Sequence, residues 1–358
     1  MILPTESREH DPKGKMIEEA TSIIPVTVVI PVKDDLTALG RCLQPLARIA
    51  SVVVVDSGSK DGSAEIAQRW GAEVIQFRWN GGFPKKRNWI LQNYQFRTKW
   101  VMFVDADELL TPSFICELGK AINSVNHVGY WVNYENYFQG RLLRFGVTQR
   151  KLTLFRVGSG YYERIEDPGW SDLDMEVHEH PILNGSVGSL RSRVRHEDHS
   201  SLQKFIERHN KYSTWEARRY LALSAGSQTI GVHRTLRQRV KYALLRSAWL
   251  SVLYFLYSYF IRGGILDGSA GFSYAIYKAV YFFDISQKIR ELQRDSLLHP
   301  RQDAASKYVE SDCQFAKDIL ARPVDRLEPN EGLSELSIGS PSPMSSSEIS
   351  HTSSSSGL

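Results

Sequence analysis

Three near-continuous apolar runs constrain this chain more than anything else in it. Val26-Thr-Val-Val-Ile-Pro31, Ser51-Val-Val-Val-Val-Asp56 and Val101-Met-Phe-Val-Asp-Ala-Asp107 are rich in β-branched residues, and each runs straight into a polar cluster. Runs of this kind are strands buried on both faces, which requires helices above and below the sheet. The sequence between them supplies those helices. Leu36, Leu39, Leu43, Leu46 and Ile49 recur at helical spacing, with Pro45 placed to break or kink the helix. The turn-rich Ser57-Gly-Ser-Lys-Asp-Gly-Ser63 feeds a helix to about Trp70. Glu73–Phe77 reads as a shorter strand, and Lys85–Phe96 as a helix after the Asn80-Gly-Gly82 loop. Thr111-Pro112 is an N-cap followed by proline at the first helical position, which predicts a helix to about Ser124. Strand alternating with helix predicts an α/β fold: a Rossmann-like, mostly parallel sheet flanked by helices.

Such sheets bind ligands beyond the carboxyl ends of their strands. Pro31–Asp35, Asp56–Ser59 and Asp105–Asp107 all fall there. Asp105 and Asp107 stand one residue apart where a strand gives out, so both can reach one point. Two hard oxygen donors at such a point suit Mg²⁺ or Mn²⁺ carrying the oxygens of a substrate diphosphate. The net charge of +4 over 358 residues is mild and gives no reason to expect a nucleic-acid partner. Cys42, Cys116 and Cys313 are scattered without paired spacing, which argues against a disulfide framework or a zinc site and fits a reducing cytosol. Met1–Ser22 lacks the apolar core of a secretion signal, so no export is expected.

The succession Val-Ile-Pro-Val-Lys-Asp (29–34), Val-Val-Asp-Ser-Gly-Ser-Lys-Asp-Gly-Ser (54–63), Lys-Lys-Arg-Asn (85–88) and Val-Asp-Ala-Asp (104–107) resembles the family 2 glycosyltransferases of the GT-A fold. Val177-His178-Glu179, followed by Gly185 and His196, is similar to the branch holding lipopolysaccharide-core and exopolysaccharide glucosyltransferases. The resemblance covers about residues 24–290. It implies that Asp56 accepts a hydrogen bond from uracil N3–H, with Pro31, Val32, Asp34, Asp35, Ser57 and Ala106 lining the nucleotide; which of Asp34 and Asp35 makes contact stays open. It implies that Arg87 approaches the phosphates. Asp105 and Asp107 hold the cation, Asp107 as the more direct ligand, and His196 approaches it. An acceptor hydroxyl must lose a proton as it attacks, so a carboxylate base is needed opposite the leaving nucleotide. Asp172, Asp174, Glu176 and Glu179 offer four carboxylates, of which Glu179 is the first choice and Asp174 and Glu176 the runners-up.

Five regions follow: a disordered leader at 1–24, a nucleotide-sugar half at 25–127, an acceptor and base half at 128–200, an amphipathic helical region at 201–300, and a disordered, serine-rich tail at 301–358. Tyr130, Trp131, Tyr134, Tyr137 and Trp170, with Arg141, Arg144, Arg150 and Arg156, suit packing on sugar rings and pairing with the phosphates of a lipid carrier. The basic run His233–Lys241 leads into Tyr242–Ile261, apolar but interrupted by Arg246; Gly263–Gly268 breaks it, and Ser273–Phe283 reads as a second aromatic helix. This pattern suits a helical hairpin lying on an anionic membrane surface, at the cytoplasmic face of the inner membrane. The expected function is a metal-dependent, inverting transfer of a sugar from a UDP-type donor to a lipid-linked oligosaccharide, lipopolysaccharide or exopolysaccharide acceptor. A non-catalytic, membrane-associated nucleotide-sugar scaffold is one rival. A nucleotidyltransferase is another, although Pro31–Asp35 lacks the glycines of its phosphate loop.

Overall fold

The computed structural model describes residues 22–165, 167, 169–170, 173–175, 181–197, 201–225 and 236–298, side chains at 236–239 and 297–298 excepted. The expected leader, but for its last residues, and the expected tail lie outside them.

The first half alternates as the sequence predicts. Strands β1 (Ile24–Val32), β2 (Ile49–Asp56), β3 (Glu73–Gln76) and β4 (Trp100–Phe103) are interleaved with helices α1 (Leu36–Leu43), α2 (Ser63–Arg69) and α3 (Lys86–Asn93). Pro45 acts as expected: α1 ends at Leu43, and the chain continues as a 3₁₀ turn over Gln44–Arg48. β5 (Glu108–Leu109) follows, then α4 (Pro112–Ala121), whose first turn is capped by the Thr111 hydroxyl accepting from the Phe114 N–H. The second half adds β6 (Gly129–Phe138), β7 (Arg141–Leu143), β8 (Arg150–Arg156), β9 (Gly160–Tyr162), β10 (Pro181–Leu183) and β11 (Val187–Glu197).

Among the described residues the main sheet has nine strands, in the order β3-β2-β1-β4-β8-β6-β11-β5, with β7 on β6. β1 pairs in parallel with β2 and β4, β2 with β3, and β6 with β11. β8 runs antiparallel to both β4 and β6. Six strands therefore point one way, and the carboxyl ends of β1, β2, β4, β6 and β11 share one edge with the start of β8. The mostly parallel sheet is as expected; the antiparallel β8 and the short β5 and β7 are additions that sequence periodicity did not reveal.

Alternating side chains fill two cores. Val28, Ile30, Val54 and Met102 pack with Leu39, Phe114 and Leu118 on one face. Val29, Val53, Val55 and Phe103 pack with Ile90, Phe155 and Tyr162 on the other. This is the two-sided burial that β-branched runs require.

Beyond the sheet lie α5 (Leu202–Ser224), α6 (Leu236–Leu244), α7 (Trp249–Leu256) and α8 (Gly268–Leu298). α7 runs on into one π turn, Tyr257–Ile261, before the expected break at Gly263–Gly268. Asp267 in that break accepts from the backbone N–H groups of Arg144 (2.9 Å) and Phe145 (3.0 Å), pinning the hairpin to the loop after β7. The second helix is far longer than Ser273–Phe283. Ala217, Leu245, Tyr281, Ile285 and Ile289 form the core of this layer. Among the described residues no single helix is long and apolar enough to cross a membrane; Trp249–Ile261 and Gly264–Ser296 pass together, bent by 73°.

A buried polar tie joins α5 to the start of α3. The Asp167 carboxylate takes the Trp215 indole N–H at 2.7 Å and pairs with the Lys85 ammonium. All three side chains are buried. Asp167→Ala leaves a lysine charge buried without its partner, so urea unfolding should show a loss of about 3 kcal/mol.

Candidate active site

Because six strands share a direction, polar residues distant in sequence meet at one edge. β4 delivers Asp105 and Asp107, β2 delivers Asp56, β1 leads into Asp34 and Asp35, and β11 delivers His196. β8, running the other way, begins there and supplies Lys151. Register fixes the last contacts: His196 pairs with Glu108 of β5 on one side and Asn136 of β6 on the other.

Asp105 is gripped on both oxygens, by Arg87 at 2.7 Å and Lys151 at 2.8 Å. Burial pushes its carboxyl up, but the Lys151 and Arg87 charges more than reverse this and hold it well below the usual range. Lys151 also binds Glu108 at 2.6 Å. Glu108 is 1% exposed and accepts from the Asp105 N–H (3.1 Å) and the Tyr134 hydroxyl (3.3 Å). Its own carboxyl is raised, by burial first, with Lys151 opposing and Asp105 adding to the rise. Sequence reasoning passed over Glu108 and Lys151. The only signal for Glu108 was a third acid directly after the pair; for Lys151 there was none.

Asp107 lies 3.3 Å from His196 Nε2. Burial raises the Asp107 carboxyl, yet His196 holds it below its ordinary value. Burial lowers the imidazole, yet Asp107 lifts it above its ordinary value. The pair is therefore charged in the window between them: its stabilisation is lost as pH rises through the raised imidazole value, and again as pH falls through the lowered carboxyl value. Asp35 feels the same field, its carboxyl raised by burial first and then by the Asp107 charge.

The nucleotide-side residues are held by their own network. Asp56, 1% exposed, accepts from Ser59 N–H at 3.1 Å and Gln76 Nε2 at 2.9 Å. Gly58, at φ 74°, makes the turn that brings Ser59 back. Asp56 does not cap α2; the N-cap is Gly62. Asp34 accepts from the Lys60 N–H at 2.7 Å, tying the β1 and β2 loops together. Pro31, Val32 and Ala106 are buried beneath these loops. The Ser57 hydroxyl donates to Asp174, whose carboxylate also pairs with Lys86 at 3.2 Å. Lys86 is buried and its ammonium lowered, by burial first and only partly restored by Asp174. Asp174 thus stands beside the loop after β2, already paired with Lys86. Arg87 lies over the Tyr162 ring, and Asn88 bonds both backbone groups of Tyr162. Glu176, Glu179, Asp172 and His178 lie outside the described residues.

Several aromatic and basic residues expected at the acceptor site are committed elsewhere. Tyr130 is buried, its hydroxyl on the Ala121 carbonyl; Arg156 packs on Trp100 and donates to Ser124 and His127 carbonyls.

Asp107 and His196 offer a carboxylate and an imidazole nitrogen side by side, a donor pair that suits Mn²⁺ or Mg²⁺ completing its shell with waters and diphosphate oxygens. Among the described residues no three His, Cys, Asp or Glu side chains gather as a ligand set. Asp105 could join as a direct ligand only by giving up Arg87 or Lys151.

A GT-A sheet with an Asp-Ala-Asp cluster at its carboxyl edge is the frame of a nucleotide-sugar glycosyltransferase. Residues 27–174 match glycosyl transferase family 2. The lipopolysaccharide core biosynthesis glycosyltransferase LpsC of Rhizobium meliloti is 31% identical over 74% of this chain and 92% of its own length. An uncharacterized glycosyltransferase of Rickettsia typhi is 22% identical over 83% and 96%. Glucosyl-3-phosphoglycerate synthase of Mycobacterium tuberculosis, solved with Mn²⁺ and UDP, is 19% identical over 38% of this chain and 51% of its own, with a TM-score of 0.26. The chain belongs to glycosyltransferase family 2.

Lys151→Met strands Asp105 and Glu108 beside each other. The Glu108 carboxyl is already raised by burial and loses its opposing charge with Lys151, so the cost is greatest above its folded value and shrinks as pH falls. Urea unfolding should show a loss of about 3 kcal/mol near pH 8 and clearly less near pH 5.

Proposed function

We propose that this enzyme moves one sugar, with inversion, from a UDP-linked donor to a lipid-linked saccharide of lipopolysaccharide or exopolysaccharide assembly, using Mg²⁺ or Mn²⁺. The observation that carries the reading is the meeting of Asp107, His196, Asp35 and the Arg87–Asp105–Lys151 group at one sheet edge, next to the Asp56–Ser59 loop. The name of the Rhizobium relative supports the acceptor class.

In this reading the Pro31–Asp35 and Asp56–Ser59 loops seat the nucleotide. Their mutual hydrogen bonds fix the seat before the donor arrives, which limits the ordering cost of binding. Asp107 and His196 would hold the cation, which when bound neutralises charge developing on the departing diphosphate. Arg87 and Lys151 keep Asp105 ionised and immobile beside them. The proton of the acceptor hydroxyl goes to a carboxylate across the site. Asp174 is a weak candidate because Lys86 and Ser57 already hold it, which leaves Glu179 first and Glu176 second.

We further propose peripheral attachment at the cytoplasmic face of the inner membrane. Trp249 (71% exposed), at the start of α7, and Ile261 (75%) and Leu266 (68%), at the α7–α8 bend, are all exposed. Phe272, Ile276, Val280 and Phe283 continue along one stripe of α8. An apolar stripe of this size on a monomer surface suits an interfacial helix. Of the basic run His233–Lys241, residues 233–235 and the side chains of 236–239 lie outside the described residues.

Nucleotide sugars should be screened for divalent-dependent protection against thermal unfolding, with UDP-hexoses expected to protect. Asp107→Ala should fold normally and lose about a thousandfold in kcat/KM; retained turnover contradicts the metal assignment. Glu179→Gln should bind donor normally and lose about a hundredfold or more in kcat. If Glu176→Gln does so instead, the base is Glu176.

A further inference from the structure

Three strand ends stand in one row at the edge where the nucleotide would sit. Val32 of β1 is the register partner of Asp56 of β2, and Asp56 is the partner of Gln76 of β3. Register partners in neighbouring parallel strands present their side chains on the same face. Val32 and Asp56 are buried, at 3% and 1% exposure, while Gln76 is exposed. Within this row Gln76 is therefore the polar side chain open to a molecule arriving at the edge.

Asp56 has its accepting positions filled. The Ser59 N–H reaches both carboxylate oxygens, at 3.1 Å and 3.2 Å. The Ser59 hydroxyl donates to Oδ1, and Gln76 Nε2 donates to Oδ2 at 2.9 Å. Each oxygen thus faces two donors, about the capacity of a carboxylate. The Ser59 hydroxyl in turn accepts from the Asp34 N–H at 2.9 Å, so the chain of bonds reaches back to the loop after β1. Its outer end is the Gln76 amide. A carboxylate oxygen accepts, so the amide nitrogen faces Asp56 and the amide oxygen takes the other arm. Turning the amide over would set oxygen against oxygen and leave a buried acceptor short of a donor, which costs about 1–3 kcal/mol. Among the described residues no hydrogen bond is made to Gln76 Oε1.

We propose that Gln76 Oε1 accepts the N3–H of the donor's uracil, and that Asp56 is the positioning residue that keeps this oxygen turned outward. The proposal rests on the UDP-donor reading and names the residue that would enforce it. Uracil presents an imide N–H between two carbonyls, and an accepting oxygen is what that proton requires. Cytosine carries a bare nitrogen at the same place, which would meet Oε1 lone pair to lone pair. An amide free to turn over would serve either base by offering its N–H₂ instead. This one is locked by Asp56, so the wrong base meets a repulsion as well as a missing bond, and specificity gains from both.

The test uses the full chain with Mn²⁺ and two probes, UDP and CDP, titrated by calorimetry. The wild type should bind UDP at least about tenfold more tightly than CDP. Gln76→Met removes both arms of the amide. Gln76→Lys keeps a donor for Asp56 and removes only the oxygen, which guards against a variant that fails to fold for want of that bond. The added charge acts on both diphosphates alike, so the ratio of the two affinities is what is read. In each variant that ratio should fall to near one, with CDP binding retained as evidence of the fold. A UDP preference that survives in either folded variant overturns the proposal, since Asp56 or another group then reads the base. A wild type that binds UDP and CDP equally overturns it too. A wild type that binds neither nucleotide contradicts the UDP donor itself and takes the proposal with it, whereas a preference unchanged by substitution leaves the donor reading standing.

Discussion

The grip of Lys151 and Arg87 on Asp105 is the interaction on which the rest of the site depends. A sheet edge that collects the buried Glu108 and the half-buried Asp105 and Asp107, with the exposed Asp35 beside them, repels itself. Unpaired, such charges cost several kcal/mol each or protonate instead. Lys151 answers two of the acids at once, Arg87 answers Asp105 from α3, and His196 answers Asp107 from β11. The result is a turn after β4 in which Asp105 and Asp107 are held below their ordinary carboxyl values and fixed in place before any ligand arrives. Preorganised charge of this kind needs no rearrangement at the moment of reaction, which is where electrostatic catalysis gains most.

That grip is possible only because of strand direction. Parallel pairing of β6 with β11 turns the His196 end of β11 toward the same edge as the end of β4, and the reversed β8 turns Lys151 there from its amino end. An antiparallel β11 would carry His196 to the far side. The helical layer is tied to the same edge through Phe138 and through the Asp167–Trp215–Lys85 contact. α5 and α8 thereby pack on β6 through Phe205 and Tyr277 without belonging to the sheet.

The nucleotide half was legible in the sequence because its signals are local. β-branched runs, Pro45, Thr111-Pro112 and the glycine-rich turn at 57–63 each dictate structure within a few residues, and the elements stand where those signals put them. The strand ends that carry Asp35, Asp56, Asp105 and Asp107 follow directly. What escaped depends on long-range pairing. Lys151 reads as one basic residue among many until β8 is seen to lie antiparallel between β4 and β6. Lys86 and Asn88 flank Arg87 in the polar start of a helix, yet both are buried, one on Asp174 and Val32, the other on Tyr162. Tyr130, offered for packing on sugar rings, and Arg156, offered for pairing with carrier phosphates, went to the core and to a backbone clamp, since aromatic and basic side chains serve either end equally well.

The central claim is that Asp107 and His196 together form the cation site beside the bound nucleotide. Mn²⁺ binding followed by electron paramagnetic resonance, with UDP present, tests it most directly. The account predicts that Mn²⁺ binds the wild type, that both Asp107→Asn and His196→Gln weaken it at least about tenfold, and that wild-type affinity climbs as pH rises through the raised imidazole value and the ring gives up its proton. Mn²⁺ bound with equal strength by both variants, at every pH, would contradict it.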